Sequence, residues 1–234
     1  MTGMQTGSGE PRAFDRWRDA LAEALHSTAG VTAWQDRRYS FAHQVGQLLV
    51  SPPHGGTAVT DHVVYGVYVE GGGLVYVGQT ADAKRRLRDL PVGESHHLAT
   101  TIPPEVWERV IVIQWPSLLS RLPARERRAV DQLQPLACGL ALEYLLQVAY
   151  RPVMSARRRS TKGGWSARNI DSSRSRGAVA SPSLPELFGH VQEHWNELAE
   201  VIPRRQSEPV FYSAAGRAVF PGRLLLQGPP ARSR

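Results

Sequence analysis

The 234-residue chain is 41% apolar and 21% charged with a formal net charge of +7, enough to bury roughly 70% of its extended-chain surface as one globular unit or two small ones; that excludes a disulfide-stapled peptide and a wholly disordered tail. Its single cysteine, Cys138, excludes an internal disulfide, and no run of about 18 apolar residues exists to cross a bilayer, so a cytoplasmic chain with no membrane partner is expected. The charge is concentrated: residues 151–176 hold eight cations (Arg151, Arg157, Arg158, Arg159, Lys162, Arg168, Arg174 and Arg176) against Asp171.

Residues 1–11 are rich in Gly, Ser and Thr and are expected to be unordered; with Glu10 and Arg12 and no apolar stretch they do not read as a signal peptide. Residues 12–60 read as a helical extension. Phe14, Trp17, Leu21 and Leu25 recur at helical spacing, and a second apolar region from Phe41 to Val50 ends in the loop Ser51-Pro52-Pro53-His54-Gly55-Gly56. From Val63 the residues become β-branched and aromatic. Two short strands around Gly71-Gly72-Gly73 read as a hairpin. Pairing Glu70 with Leu74 sets Tyr68 opposite Tyr76 and Gly66 opposite Gly78, with Val67, Val69, Val75 and Val77 on the core face.

Gln79 and Thr80 then lead into a helix that Thr80 or Asp82 caps, with Ala83, Leu87 and Leu90 on its buried side and Pro91 ending it. A third strand is expected within 106–115. Residues 124–150 read as helical, broken at Pro135. In the second part, Leu136 to Tyr150, Glu143 is the sole ionisable carboxylate among leucines. Such an acid must find solvent, an ion pair or a metal, because burying it unpaired costs several kcal/mol on the order of a whole core contact. Residues 178–185 read as a linker. Leu184, Leu187, Val191, Trp195, Leu198 and Ile202 then form a helical stripe, followed by strands at 210–212 and 219–226.

Gly66-Val67-Tyr68 and Tyr76-Val77-Gly78 resemble the paired signature triads of the GIY-YIG endonucleases. Arg86-Leu87 stands eight residues after the second glycine, and Glu143-Tyr-Leu-Leu-Gln-Val-Ala-Tyr-Arg151-Pro152 is similar to the glutamate-helix segment of the excision-repair members. The likeness covers about residues 63–155. It implies an α/β (α+β) domain over 61–156, with a small, mainly antiparallel three-stranded sheet flanked by helices. A basic loop at 157–183 and a C-terminal extension at 184–234 complete the expected layout. Where family members carry asparagine twelve residues after the glutamate, this chain has Ser155, whose hydroxyl is shorter and offers fewer hydrogen bonds than a carboxamide.

The resemblance implies a metal-dependent endonuclease hydrolysing DNA, restriction-like or excision-repair-like, and the sizeable added segments and basic loop favour a stand-alone, restriction-like enzyme over a repair subunit. Glu143 would hold Mg2+ or Mn2+, and Arg86 would contact the scissile phosphate. Tyr68 would act as general base and Tyr76 would orient water or phosphate. His97 would take a proton or touch phosphate, or serve as a plain surface histidine. Gly66, Gly78, Thr80 and Ser155 would support the site. A basic segment beside a neutral body suits a polyanion, because each neutralised phosphate releases counterions. Arg151, Arg157, Arg158, Arg159, Lys162, Trp165 and Arg168 are therefore the expected contacts to double-stranded DNA, and a solvated basic loop without a ligand is the plainer alternative. A DNA-binding module without catalysis and a nuclease acting on RNA remain open, as does a homodimer.

Overall fold

The computed structural model describes residues 26–51, 58–94, 97–155, 157–159, 165–167, 169–203 and 208–226, with positions 15, 18, 19, 21 and 22. Phe14, Trp17 and Leu25 of the first expected helix, most of the 51–56 loop, Lys162 and Arg168 lie outside the described residues.

Helix α1, Thr28–Val50, begins where the Ser27 side chain accepts from the Gly30 N–H at 3.0 Å. Its second half is the apolar region expected at 41–50, with Phe41, Val45 and Leu49 buried one turn apart. Strands β1 (Val63–Val69) and β2 (Gly73–Thr80) form the hairpin. Helix α2, Ala83–Asp89, is capped by Asp82, whose side chain accepts from the Arg85 N–H at 3.1 Å. A short helix α3, Leu98–Thr101, precedes β3, Trp107–Ile113. Helix α4, Ala124–Tyr150, is interrupted at the expected place: Gln134, directly before Pro135, sits at φ 64 and ψ 153, since a residue preceding proline is pushed out of the helical region.

The basic segment contributes a two-stranded ribbon, β4 (Arg157–Arg159) with β5 (Trp165–Ala167), in which Arg159 is paired with Trp165. Residues 178–185 are not a linker. Helix α5, Arg176–Ala180, and a 3-10 turn at Ser181–Ser183 pack against α4 so closely that a Cβ on Gly177 would lie 2.2 Å from the Leu140 carbonyl oxygen. Helix α6, Pro185–Glu200, carries the stripe, buried at Leu187, Val191, Trp195 and Leu198; Ile202 falls beyond it and is 81% exposed.

The sheet has five antiparallel strands in the order β2-β1-β3-β7-β6, not three, because β6 (Val210–Tyr212) and β7 (Gly216–Val219) join β3. The extension expected at 184–234 thus completes the central sheet. After β7 the chain turns into helix α7, Pro221–Leu226, where a strand was expected; proline suits a first helical turn and cannot donate to a ladder. One sheet face packs Val63, Tyr65, Val67, Val110 and Val112 against α1, α2 and α3. The other packs Val64, Val77, Ile111 and Ile113 against α4 and α6. Among the described residues no helix is long and apolar enough to cross a membrane.

The hairpin register differs by one residue from expectation. Val69 pairs with Gly73 and Tyr68 with Leu74, then the pairing skips Val75 so that Val67 meets Tyr76, Gly66 meets Val77 and Tyr65 meets Gly78. Gly71 and Gly73 have φ of 71 and 65, the left-handed backbone that glycine adopts readily, and they close the turn one residue early. A shift of one residue moves a side chain to the other face. Tyr76 therefore shares a face with Tyr65 and not with Tyr68.

Candidate active site

The outer edge of β2 is covered by the end of α4 and the turn after it. The Gln147 amide donates to the Val77 carbonyl at 3.5 Å, the Met154 N–H to the Val75 carbonyl at 2.9 Å, and the Ser155 hydroxyl lies 3.4 Å from the Val77 nitrogen and 3.5 Å from its oxygen. These bonds satisfy an edge that would otherwise present unpaired backbone groups. They also bring α4 alongside the strand that carries Tyr76 and Gly78. Gly139, Glu143 and Gln147 fall at i, i+4 and i+8 on this side of α4; Gly139 receives Gln79, whose Oε1 would lie 2.9 Å from a Cβ built there.

Tyr65 reaches the same place across β2. It pairs with Gly78, where an added Cβ would lie 2.8 Å from the Tyr65 hydroxyl oxygen and 2.8 Å from the Tyr76 ring. The missing side chain is what lets the two phenols meet, with ring centroids 6.1 Å apart and a hydrogen bond joining their hydroxyls. Arg86, on the last turn of α2, donates from Nε to the Tyr65 oxygen at 3.2 Å. Glu143 is near enough to both phenols for its charge to oppose their ionisation, and its Oε1 accepts from Gln147 Nε2 at 3.1 Å. Two tyrosines, an arginine and a glutamate from β1, β2, α2 and α4 thus converge.

Burial raises the pKa of Tyr65 and of Tyr76 above the ordinary value; the Arg86 guanidinium pulls both back without offsetting it. Both phenols are protonated at neutral pH and serve as hydrogen-bond donors in this state. Arg86 is half-buried; burial alone would lower its pKa, but the Tyr65 and Tyr76 phenols hold it above the ordinary value, so it is a permanent cation.

Tyr68, expected as the general base, is on the opposite face. Its hydroxyl accepts from the Trp195 indole N–H at 2.9 Å, and the Arg109 guanidinium stands 5.9 Å from its ring centre. Gly66 is there for the same reason: a Cβ would come within 2.5 Å of the Trp195 ring. Tyr68 and Gly66 dock α6, and what sequence reasoning missed is Tyr65, three residues earlier. The available signal was the pairing of an aromatic with Gly78, visible once the turn closes at Gly73.

Burial pushes the Tyr68 phenol up to about 12 from 10.0. The folded chain therefore keeps a proton that the unfolded chain releases above pH 10, so stability is unaffected below that pH and falls as pH rises towards 12, by about 3 kcal/mol for this group. Denaturant unfolding at about pH 9 and about pH 11 is expected to show a smaller alkaline loss in Tyr68→Phe than in the parent chain.

The remaining expected residues are dispersed. His97 is exposed at the start of α3, and among the described residues its contacts are made through its carbonyl, which accepts from the Thr100 and Thr101 hydroxyls at 2.8 Å. Thr80 accepts from the Asp82 N–H at 3.0 Å and shapes the turn into α2. Ser155 holds the β2 edge, as above. Arg151 ends α4 with φ 50 and forms a two-pronged ion pair with Asp171 at 2.7 and 2.8 Å, exposed to solvent. Arg157, Arg158, Arg159 and Trp165 belong to the β4–β5 ribbon, which starts two residues after the Ser155 contact with Val77. Among the described residues no three His, Cys, Asp or Glu side chains group as a metal cage.

No family model matches the chain, and no curated protein or solved structure matches it.

Proposed function

We propose that the chain is a GIY-YIG-like, metal-dependent endonuclease that hydrolyses phosphodiester bonds in DNA, with Tyr65, Tyr76, Arg86 and Glu143 as its site. The observation that carries this reading is the convergence of these four groups, 78 positions apart at the extremes, around the Gly78 gap. The tyrosine that stands beside Tyr76 is Tyr65, so the first triad is shifted in this chain, and Val63-Val64-Tyr65 takes the place that Gly66-Val67-Tyr68 was expected to fill.

Each component has a task in phosphodiester cleavage. Arg86 binds a non-bridging phosphate oxygen and offsets the charge that grows on the phosphorus centre. Tyr76 and Tyr65 are protonated and joined by a hydrogen bond that uses one of their two hydroxyl protons; the other can be donated to phosphate, and the pair can hold the attacking water in line. Glu143 offers a half-buried carboxylate beside these donors, which suits a hard cation that takes one or two carboxylates and completes its shell with water and phosphate. Mg2+ or Mn2+ bound at Glu143 would supply positive charge to the phosphate and lower the pKa of the neighbouring phenols and water. The basic ribbon supports a nucleic-acid partner: it starts two residues after Ser155, which contacts Val77 on the strand that carries Tyr76.

The test is nicking of supercoiled DNA with Mg2+ or Mn2+, run beside single-stranded RNA. The parent chain is expected to cleave DNA and to stop on chelation, and Glu143→Gln to be at least about 10²-fold slower. Equal cleavage by both proteins would overturn the site; binding of DNA with no cleavage by either would leave a binding module.

A further inference from the structure

Gln147 lies one helical turn beyond Glu143 and is 7% exposed. Its Nε2 has two hydrogens and two acceptors: the Glu143 Oε1 at 3.1 Å and the Val77 carbonyl at 3.5 Å. Val77 is flanked in β2 by Tyr76 and Gly78, and its backbone also engages the Ser155 hydroxyl. One amide therefore ties the carboxylate of α4 to the stretch of backbone that positions both phenols. An i, i+4 amide–carboxylate pair at a solvated helix surface contributes only a few tenths of a kcal/mol. This pair is buried at one end and anchored to a second element, so it restricts where the carboxylate can sit.

We infer that Gln147 is a positioning residue, which sets the Glu143 carboxylate relative to Tyr65, Tyr76 and Arg86 and thereby sets the affinity of this site for a divalent cation. The inference rests on the proposed role of Glu143. The neutral amide has a chemical logic. A lysine at this position would also donate to the carboxylate, but it would compete with a cation for the same charge; an acid would repel Glu143. The amide orients without adding charge, as the outer partners of metal-binding carboxylates commonly do, and loss of such a partner typically lowers metal affinity or activity about 10- to 100-fold.

The experiment is a Mn2+ binding titration of the full chain without DNA, paired with the Mn2+ dependence of nicking, for the parent, Gln147→Met, Gln147→Lys and Glu143→Gln, each checked by thermal unfolding. Gln147→Met keeps side-chain length and removes the donors; Gln147→Lys keeps a donor and adds a competing charge, and it carries the test if the Met variant does not fold. Both are expected to bind Mn2+ at least about 10-fold more weakly, and excess Mn2+ is expected to restore most of the nicking rate. Parent-like Mn2+ affinity in a folded Gln147 variant, with Glu143→Gln impaired, would overturn the role of Gln147 and leave the site intact. Parent-like binding and nicking by Glu143→Gln would instead remove the reading on which the inference rests.

Discussion

Arg86→Ala is expected to slow DNA nicking by about 10³-fold or more and Tyr65→Phe by about 10²-fold, while Tyr68→Phe stays within about threefold of the parent. The order follows from where each group stands. Arg86 is the permanent cation of the cluster, and an arginine that meets the charge developing on a transferring phosphoryl group is among the costliest side chains to remove. Its exposed neighbours, Arg85 and Arg88, point elsewhere on α2 and do not substitute; Arg85 is engaged with Asp82 at 3.3 Å. Tyr65→Phe retains the ring over Gly78 and deletes only the hydroxyl that accepts from Arg86 and bonds to Tyr76, so the variant separates hydrogen bonding from packing. Tyr68 bonds to Trp195 on the other side of the sheet. Single-turnover nicking at saturating metal measures all three variants. A Tyr68→Phe protein that is as slow as Arg86→Ala, with Tyr65→Phe unimpaired, would mean that the site lies on the α6 face.

That contrast turns on a register which the local pattern did not carry. Alternation sets a register where one face is wet, because a slip would then expose the apolar side chains. Here β1 is buried on both faces from Val63 to Val67, as in sheets covered by helices on two sides, and its run of apolar residues fits either setting. The choice was made by particles of geometry further away: the left-handed glycines of the turn, the skipped Val75 and the width of Trp195 against Gly66. Local chemistry was legible where its cause was local. Asp82 caps α2, Pro135 breaks α4, and Glu143 faces polar company as an acid among leucines must. The strand at 210–212 was legible too, but the packing of 178–185 and the joining of β6 and β7 to the central sheet depended on tertiary partners, Leu140 and β3, which no short window contains. His97 was placed by resemblance alone; it is exposed, and its carbonyl accepts from the Thr100 and Thr101 hydroxyls.

The largest stability effect is expected at Trp195. Helix α6 is held at both ends by charges from elsewhere in the chain. The Glu126 carboxylate accepts from the Glu186 and Leu187 N–H groups at 3.0 and 2.8 Å, and Arg109 donates to the carbonyls of Leu198, Ala199 and Val201. Both signs complement the helix dipole. The middle of the helix is held by the fully buried Trp195, which fills the space above Gly66, stacks on Tyr150 at 5.8 Å between centroids and donates to Tyr68. Trp195→Ala removes this ring and leaves the Tyr68 oxygen without its donor, for an expected loss of about 3–5 kcal/mol, a large share of the stability of an ordinary domain. Gly66→Ala attacks the same contact from the strand, and overpacking is expected to cost about 1–3 kcal/mol. Because the new methyl group collides with the ring itself, the two changes are not independent: Gly66→Ala combined with Trp195→Ala is expected to be at least about 1 kcal/mol more stable than the sum of the single losses. Denaturant unfolding of the four proteins closes the cycle. Simple additivity would show that Gly66 accommodates something other than Trp195, and would detach α6 from the register that places Tyr65 beside Tyr76.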